Sequence, residues 1–294
     1  MNRETLQSVL RETGIDEPIG AIHELFGGCI HRVVRIELVG GRRLVGKLNR
    51  AERAGMFEEE AASLAALAGT ETVFVPRTYG VIRRDGDCAL LMDHLDAGAA
   101  TDATWWEFGE ALANLHLVEA GKRYGYDTDN HIGATPQTNA WCDDWIQFNA
   151  EHRLGHQVRL AREADRVRAD EGRRLDAAIA RLDRHLPRRP KPALLHGDLW
   201  SGNAMPTIDE DGRPRIAIID PACSVGDGWA DIAMMKLFGG FPAGCFEAYA
   251  ASNDDREDLP QRLAAYQLYH VLNHVNLFGR GYIGQAMALL DVLA

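Results

Sequence analysis

The sequence predicts an α+β fold of two lobes: a small first lobe with a five-stranded antiparallel sheet plus one helix, and a larger, mainly helical second lobe. Two observations support this prediction. Before residue 95, short β-forming segments alternate with glycine-rich turns, whereas beyond it apolar residues recur mostly at helical spacing. The length of 294 residues also suffices for two separate hydrophobic cores. We therefore expect one domain over residues 1–95 and another over residues 96–294.

The strands of the first lobe are separated by short turns. Three of them are predicted between residues 19 and 48, joined by Gly27-Gly28 and by Gly40-Gly41. The second glycine pair is typical of a hairpin turn. Two further strands are expected over residues 73–76 and 89–95, which completes the sheet.

Composition and charge limit the possible partners. The net charge of −11 argues against nucleic acid or an anionic membrane, because both select basic surfaces. No apolar stretch approaches the roughly 18 to 20 residues of a membrane span. The five cysteines include no C-x-x-C pair, which favours a reduced, cytoplasmic protein without a disulfide framework or a zinc site. We expect a monomer or a homodimer.

The stretch from Leu194 to Asp220 has the side chains that phosphoryl transfer needs. Asp198 ends the sequence His-Gly-Asp, Asn203 follows it, and Asp220 closes a run of β-forming residues. One carboxylate can orient an attacking hydroxyl, while two oxygen ligands hold the Mg²⁺ that bridges the phosphates of a nucleotide. The spacing D-x-x-x-x-N matches the catalytic loop of kinases, although Asp and Asn are also common in surface loops. We predict that Asp198 is catalytic and that Asn203 and Asp220 bind the metal.

A kinase also needs a lysine to hold the α- and β-phosphates of ATP. Lys47 ends a predicted strand, a position where lysines are usually solvated. The next predicted helix, over residues 56–68, offers Glu58, Glu59 and Glu60 as partners. Helical spacing places only Glu60 on the apolar face. Since an inward carboxylate needs a partner, we predict that Glu60 pairs with Lys47. Residues 1–95 are therefore expected to form the nucleotide-binding domain, and residues 96–294 the catalytic and substrate-binding domain.

Four further features concern the nucleotide and the catalytic loop. Gly27-Gly28 could let backbone N–H groups approach phosphate, although an ordinary hairpin accounts for the same residues. Cys29 beside it is either a small turn residue or a thiol open to oxidation. Asp231 is expected either to cap a helix or to accept hydrogen bonds from the catalytic-loop backbone. Backbone pairing with adenine is expected from Met92, Asp93, His94 and Leu95, unless this segment is only an edge strand and linker.

Two segments could bind the acceptor. A polar, aromatic and glycine-rich segment over residues 124–141 is either a surface loop or the rim of a pocket. An apolar helix predicted over residues 266–278 carries a polar stripe, which is typical of a pocket wall or of satisfied core groups. Another helix is expected to present Trp141, Trp145 and Phe148 on one face. The candidate acceptor-binding residues are Gln137, Asn139, His270, Asn273 and His274.

The whole pattern resembles the fructosamine kinase family, or ketosamine 3-kinases, a branch of the aminoglycoside-phosphotransferase-like enzymes with a bilobal protein-kinase-like fold. The resemblance covers nearly all of the chain. H-G-D-x-x-x-x-N alone is shared by a wider group of small-molecule kinases, whereas Trp200 within it, LFGGF from Leu237 and LNHVNLFG from Leu272 are more specific. The resemblance implies that ATP and Mg²⁺ are used to phosphorylate the sugar 3-hydroxyl of a ketosamine, either a small molecule or a glycated protein. This activity is associated with protein deglycation.

The resemblance also implies a role for each matched residue: Asp198 as base, Asn203 and Asp220 as metal ligands, Lys47 and Glu60 as the phosphate-holding pair, and Trp200 against the sugar. The chain departs from the family pattern in two places. Residues 226–232 read GDGWADI where many members carry G-D-R/P-E-x-D-L. His31-Arg32 stand where an Asn-like residue is common.

Three other functions are alternatives to a ketosamine kinase. A protein kinase is disfavoured because Gly197 replaces the arginine of H-R-D, Asp220-Pro221-Ala222 replaces D-F-G, and no A-P-E follows. A related aminoglycoside, choline or sugar phosphotransferase is the realistic alternative. An inactive nucleotide-binding or protein-binding module would be expected to have lost part of the predicted machinery, which this chain retains.

Overall fold

The computed structural model describes residues 1–25, 30–253 and 259–294. Gly27, Gly28 and Cys29 lie outside the described residues. The chain forms two compact units, the first containing Met1–Ala100 with Met205–Pro221, and the second Thr101–Ala204 with Ala222–Ala294. Thus a late segment of the sequence returns to the first unit, which the sequence pattern did not indicate. The functional division at residue 95 stays a prediction.

The helices and strands alternate along the chain. The first part contains α1 (Arg3–Glu12), β1 (Ile19–Leu25), β2 (Arg32–Leu38), β3 (Arg43–Arg50), α2 (Ala54–Ala68), β4 (Thr78–Arg84), β5 (Asp87–Asp93), β6 (Asp96–Ala97), α3 (Asp102–Leu117), β7 (Asn130–Ile132) and β8 (Thr135–Gln137). The second part contains α4 (Trp145–Phe148), α5 (Gly155–Glu163), α6 (Ala169–Ile179), β9 (Pro192–Leu195), β10 (Ala204–Ile208), β11 (Pro214–Ile218), β12 (Ser224–Asp227), α7 (Trp229–Phe238), α8 (Ala243–Ala251), α9 (Leu259–Phe278) and α10 (Ile283–Val292). Among the described residues, no helix combines the length and the apolar character needed to cross a membrane.

A five-stranded antiparallel sheet in the order β1-β2-β3-β5-β4 organises the first unit, as predicted. Because successive side chains of a strand point to opposite faces, the sheet has two apolar faces. Ile36 and Leu44 belong to the core that includes α1. Leu90 belongs to the core on the other face, where Phe57 and Leu64 of α2 pack.

The position of the fourth strand differs from the prediction. Residues 73–76 do not form a strand, and Phe74 makes only an isolated bridge to Ala217. The strand is instead β4, which is joined to β5 by Asp85 and Gly86 with φ of +52° and +79°. Two left-handed residues form the tight turn that fits the twist of a hairpin, and Asp-Gly is a strong sequence signal for it. The sequence prediction overlooked this signal.

The second unit is mainly helical, and α3 with α8 and α7 with α9 are packed pairs within it. The predicted helix face of Trp141, Trp145 and Phe148 is wrong for Trp141, which precedes the helix. α4 begins at Trp145 because the Asp144 carboxylate accepts hydrogen bonds from the N–H groups of the first turn, at 2.9 and 3.1 Å. The rings of Trp145 and Phe148 stack with centroids 5.3 Å apart.

Candidate active site

Lys47 is a buried residue of the first unit and contacts two carboxylates. Its Nζ donates to Oε1 of Glu60 at 2.6 Å and to Oδ1 of Asp220. The predicted contact between Lys47 and Glu60 is therefore confirmed. Glu58, which helical spacing placed elsewhere, forms a surface ion pair with Arg83 at 2.8 Å.

Burial and charge act in opposite directions on this cluster. Burial by itself lowers the pKa of Lys47, but the charges of Glu60 and Asp220 outweigh it, so the pKa is raised. Burial raises the pKa of Glu60, as does repulsion from Asp220, against the attraction of Lys47. Lys47 is thus held as a cation between two carboxyl groups, a suitable arrangement for attracting phosphate oxygens.

Asp220 reaches this cluster through a second sheet of the first unit, in the order β11-β10-β6. At the end of β11, the N–H of Ile218 donates to the carbonyl of Phe74 at 2.9 Å. Asp220 follows with φ of +55°, in the left-handed region. For a residue other than glycine this conformation costs about 1–2 kcal/mol, and such strain concentrates at functional sites.

The catalytic-loop candidate Asp198 lies in the second unit, just after β9. Oδ2 and Oδ1 of Asp231 accept hydrogen bonds from the N–H groups of His196 and Gly197, at 2.8 and 2.9 Å. This confirms the predicted supporting role of Asp231. Burial raises the pKa of Asp231, but the hydrogen bond and charge of His116, the charge of His196 and the Gly197 N–H outweigh it, so the pKa is lowered. The loop backbone before Asp198 is therefore held by a buried carboxylate.

Gly197 explains why this loop reads His-Gly-Asp. Its φ is +84°, and a Cβ placed there would lie 2.1 Å from the carbonyl oxygen of Ala222. Ala222 in turn donates its N–H to the carbonyl of His196 at 2.8 Å. No side chain fits at position 197 without moving this backbone, so the arginine of protein kinases is excluded here.

Asn203 and Trp200 complete the loop. Asn203 is 5% exposed, and its Nδ2 donates to the carbonyl of Asp198 at 2.8 Å, which leaves Oδ1 for another partner. The ring of Trp200 is 41% exposed and lies over Gly202, where a Cβ would come within 2.1 Å of it. Gly240 of the LFGGF segment approaches Ser201 in the same way, since a Cβ there would lie 2.6 Å from the Cβ of Ser201. Two of the family-specific segments are thus neighbours.

The predicted adenine segment is partly engaged within the first unit. Met92 is buried in β5, and the N–H groups of Asp93 and His94 donate to carbonyls of Arg77 and Arg43, at 2.9 and 3.4 Å. Leu95 follows the strand, and no acceptor for its N–H is found in the part of the chain that the structure describes.

Gln137 and Asn139 are buried within a polar network of the second unit. Tyr269 Oη donates to Oε1 of Gln137 at 2.5 Å, and Arg153 donates to Oδ1 of Asn139 at 2.8 Å. Both amide N–H₂ groups donate to Oδ1 of Asn130, at 2.8 and 2.9 Å. This geometry favours a framework role for both residues.

The three candidates on α9 differ in their surroundings. His270 is buried, which lowers its pKa to about 3, and its Nδ1 has no partner within the described residues. It lines a cavity of about 30 Å³ next to Gly197. Oδ1 of Asn273 is also buried without a partner in the described chain. His274 lies near the surface with its ring against Phe238, Phe278 and Tyr282 at centroid distances of 4.9, 5.4 and 5.1 Å.

Sequence reasoning missed two residues of this unit. Nε2 of His116 lies 3.3 Å from Oδ2 of Asp231, and its Nδ1 lies 2.9 Å from the hydroxyl of Tyr249. The sequence pattern that could have identified His116 is a histidine on the apolar face of a core helix. Arg153 had no such signal, because it follows α4 in a π-helical turn, Asn149–Leu154, that a period of 3.6 residues does not predict.

The chain has a protein-kinase-like fold, which it shares with aminoglycoside phosphotransferases. The structure of a thermostable aminoglycoside phosphotransferase APH(4)-Ia mutant matches with a TM-score of 0.63 at 15% identity, over 97% of this chain and 98% of that one. The chain belongs to the fructosamine kinase family, whose model matches residues 1–294.

Individual relatives agree with this assignment. A probable ketoamine kinase of Synechocystis sp. is 40% identical over 285 residues, covering 97% of this chain and 94% of that protein. The chloroplastic protein-ribulosamine 3-kinase of Arabidopsis thaliana is 36% identical over 99% of this chain and 88% of that protein. A crystal structure from Haemophilus somnus, provisionally assigned as a fructosamine-3-kinase, has a TM-score of 0.87 at 29% identity, over 98% of this chain and 96% of that one.

Proposed function

We propose that this protein is an ATP-dependent ketosamine 3-kinase, which phosphorylates the sugar 3-hydroxyl of fructosamine or ribulosamine adducts of amines and protein lysines. Its role is protein deglycation. Membership of the family supports the reaction, and the names of the relatives support the class of acceptor. The structural observation that carries the proposal is the contact of Lys47 with both Glu60 and Asp220. An aminoglycoside, choline or sugar phosphotransferase is not favoured, because the aminoglycoside kinase compared above shares the fold alone.

In this proposal Lys47 binds the α- and β-phosphates of ATP, and Glu60 keeps its ammonium in place. Asp220 and Asn203 hold Mg²⁺. The donor set fits this ion, which prefers carboxylate and amide oxygens and completes its shell with phosphate and water. The orientation of Asn203 also suits a metal ligand, because its Nδ2 donates to the carbonyl of Asp198 and its Oδ1 remains for a ligand. Bound Mg²⁺ would neutralise charge on the transferred phosphoryl group.

Asp198 orients the acceptor hydroxyl and takes its proton as the new P–O bond forms. The bond between the γ-phosphorus and the bridging oxygen breaks, and ADP leaves with that oxygen. A rigid loop matters for this step, because an ångström of misplacement can cost about 100-fold in rate. The hydrogen bonds from His196 and Gly197 to Asp231 supply that rigidity.

The acceptor binds in the second unit, with its sugar against the exposed ring of Trp200. The cavity beside Gly197 and His270 has room for about two water molecules. A hydroxymethyl group of the acceptor would fill a similar volume. The four remaining candidates support the walls of this site: Gln137, Asn139, Asn273 and His274. We place the enzyme in the cytoplasm on the basis of its cysteine pattern.

An ADP-release assay with Mg-ATP tests the proposal. The panel contains erythrulosamines, ribulosamines and fructosamines of lysine, together with an aminoglycoside and choline. We expect turnover with ketosamines alone and a product whose phosphate is on the 3-hydroxyl, identified by NMR. Turnover with only the aminoglycoside or choline would contradict the proposed acceptor class, and no ADP release with any acceptor would contradict the proposed reaction.

A further inference from the structure

His31 immediately precedes β2 in the first unit. The pairing of β2 with β3 joins Val33 to Lys47 and Arg32 to Leu48. Continued by one residue, this register brings His31 opposite Asn49. Because Lys47 and Asn49 are two residues apart in one strand, their side chains are on the same face of the sheet.

Contacts with α2 show which face this is. The ring of His31 packs on Phe57 of α2, with centroids 4.6 Å apart. Lys47 meets Glu60, which is three residues further along the same helix and therefore on the same side of it. His31 is thus on the face of the sheet that carries the Lys47 ammonium.

Hydrogen bonds to Asn49 determine which nitrogen of His31 carries the proton. Oδ1 of Asn49 accepts from the N–H of Arg50 at 2.8 Å, so its other amide atom is the nitrogen. This Nδ2 lies 3.3 Å from the carbonyl of Ile30 and 2.8 Å from Nδ1 of His31. Since Nδ2 can only donate, Nδ1 of His31 is the acceptor.

The imidazole is therefore a neutral donor through its other nitrogen. Burial lowers the pKa of His31 to about 4, assisted by the charge of Lys47 and opposed by that of Asp220, so the ring is uncharged at neutral pH. With Nδ1 accepting, the single proton is on Nε2. No group of the described chain lies within hydrogen-bond distance of Nε2.

We propose that His31 is a nucleotide-binding residue that donates its Nε2–H to a β- or γ-phosphate oxygen, and that Asn49 is the positioning residue that fixes the required tautomer. The proposal rests on the proposed function. It also accounts for the departure from the family pattern at His31, because imidazole and the side-chain amide that it replaces are both neutral N–H donors. Asn49 acts only through His31 and does not itself touch phosphate.

Nucleotide binding by calorimetry tests this without an acceptor. His31→Phe keeps an aromatic ring against Phe57 but removes the donor. We expect ATP and ADP to bind about 10- to 100-fold more weakly, as is usual for loss of a hydrogen bond to a charged group, while adenosine binds as in the wild type. His31→Asn is expected to recover part of the loss. His23→Phe is the matched control, because His23 is an exposed residue of β1 whose partner is Glu37.

The possible outcomes distinguish a wrong role for His31 from a wrong kinase function. Wild-type affinity for ATP and ADP in His31→Phe would overturn the role of His31 and leave the kinase function intact. Equal weakening of adenosine binding would also overturn it, since a packing role alone explains that result. Absence of ATP binding to the wild-type protein would contradict the proposed function together with this inference.

Discussion

The Lys47 ammonium lies 2.6 Å from the Glu60 carboxylate, and Lys47 is also paired with Asp220, a residue 173 positions later in the chain. All three belong to the first unit. Asp220, from the second half of the sequence, thus completes a cluster whose other two members belong to β3 and α2.

Loss of the Glu60 charge should impair catalysis. In Glu60→Gln the amide keeps the volume but no longer holds the Lys47 ammonium, so we expect kcat/KM for ATP to fall about 10- to 100-fold, or about 1.4–2.8 kcal/mol. Glu58→Gln is the matched control on the same helix, because the pair of Glu58 with Arg83 is exposed. Steady-state kinetics with equal losses in both variants would contradict a specific role for Glu60.

Asp198→Asn should strongly reduce turnover while ATP still binds. The amide cannot take the proton of the acceptor hydroxyl, and loss of such a base costs about 100- to 10,000-fold in rate. Single-turnover kinetics and calorimetry measure the two properties separately. A variant with the wild-type rate would show that Asp198 has another role.

Gly197→Ala should be strongly destabilising. The new methyl group meets the Ala222 carbonyl oxygen at 2.1 Å, in addition to the strain of a left-handed φ. Gly14→Ala isolates the second effect, since Gly14 has φ of +82° and no atom lies within 4 Å of the position of a Cβ. We expect about 1–2 kcal/mol for Gly14→Ala and a larger loss for Gly197→Ala in urea unfolding. Equal losses would mean that the loop moves away at little cost.

The stability of the second unit should depend on pH through Glu171. Its carboxylate accepts two hydrogen bonds from Arg280, at 2.9 and 2.8 Å, which lower its pKa from 4.5 to about 2. Because the unfolded chain binds this proton more tightly, the stabilisation is present above about pH 4.5 and is lost as the pH falls towards 2.

Thermal unfolding of Glu171→Gln measures this effect. The variant should unfold at a lower temperature than the wild type at pH 7, and the difference should shrink as the pH falls below 4.5. Asp291→Asn is the control, because Asp291 is 73% exposed in its pair with Arg174. A difference that does not change with pH would assign the loss to packing.

Local sequence patterns predicted helix faces and turns, which depend on residues close together in the chain. Helical spacing selected Glu60 from three adjacent glutamates, and the glycine pair at Gly40-Gly41 predicted a turn that the structure contains. The fourth strand was misplaced because the Asp-Gly turn at Asp85 was overlooked, not because a signal was absent.

By itself, the sequence determined the spacing of the candidate catalytic residues, the family and the two-lobed class of fold. All three follow from spacing within one helix, strand or loop, which is a property of consecutive residues. Only the tertiary structure decided which distant groups meet: Asp220 with Lys47, Asp231 with the backbone of His196, and Asn49 with His31. These contacts depend on how strands pair and segments return, which local spacing does not encode. They also decide the tautomer of His31 and the need for glycine at position 197, since both follow from atoms supplied by other segments of the chain.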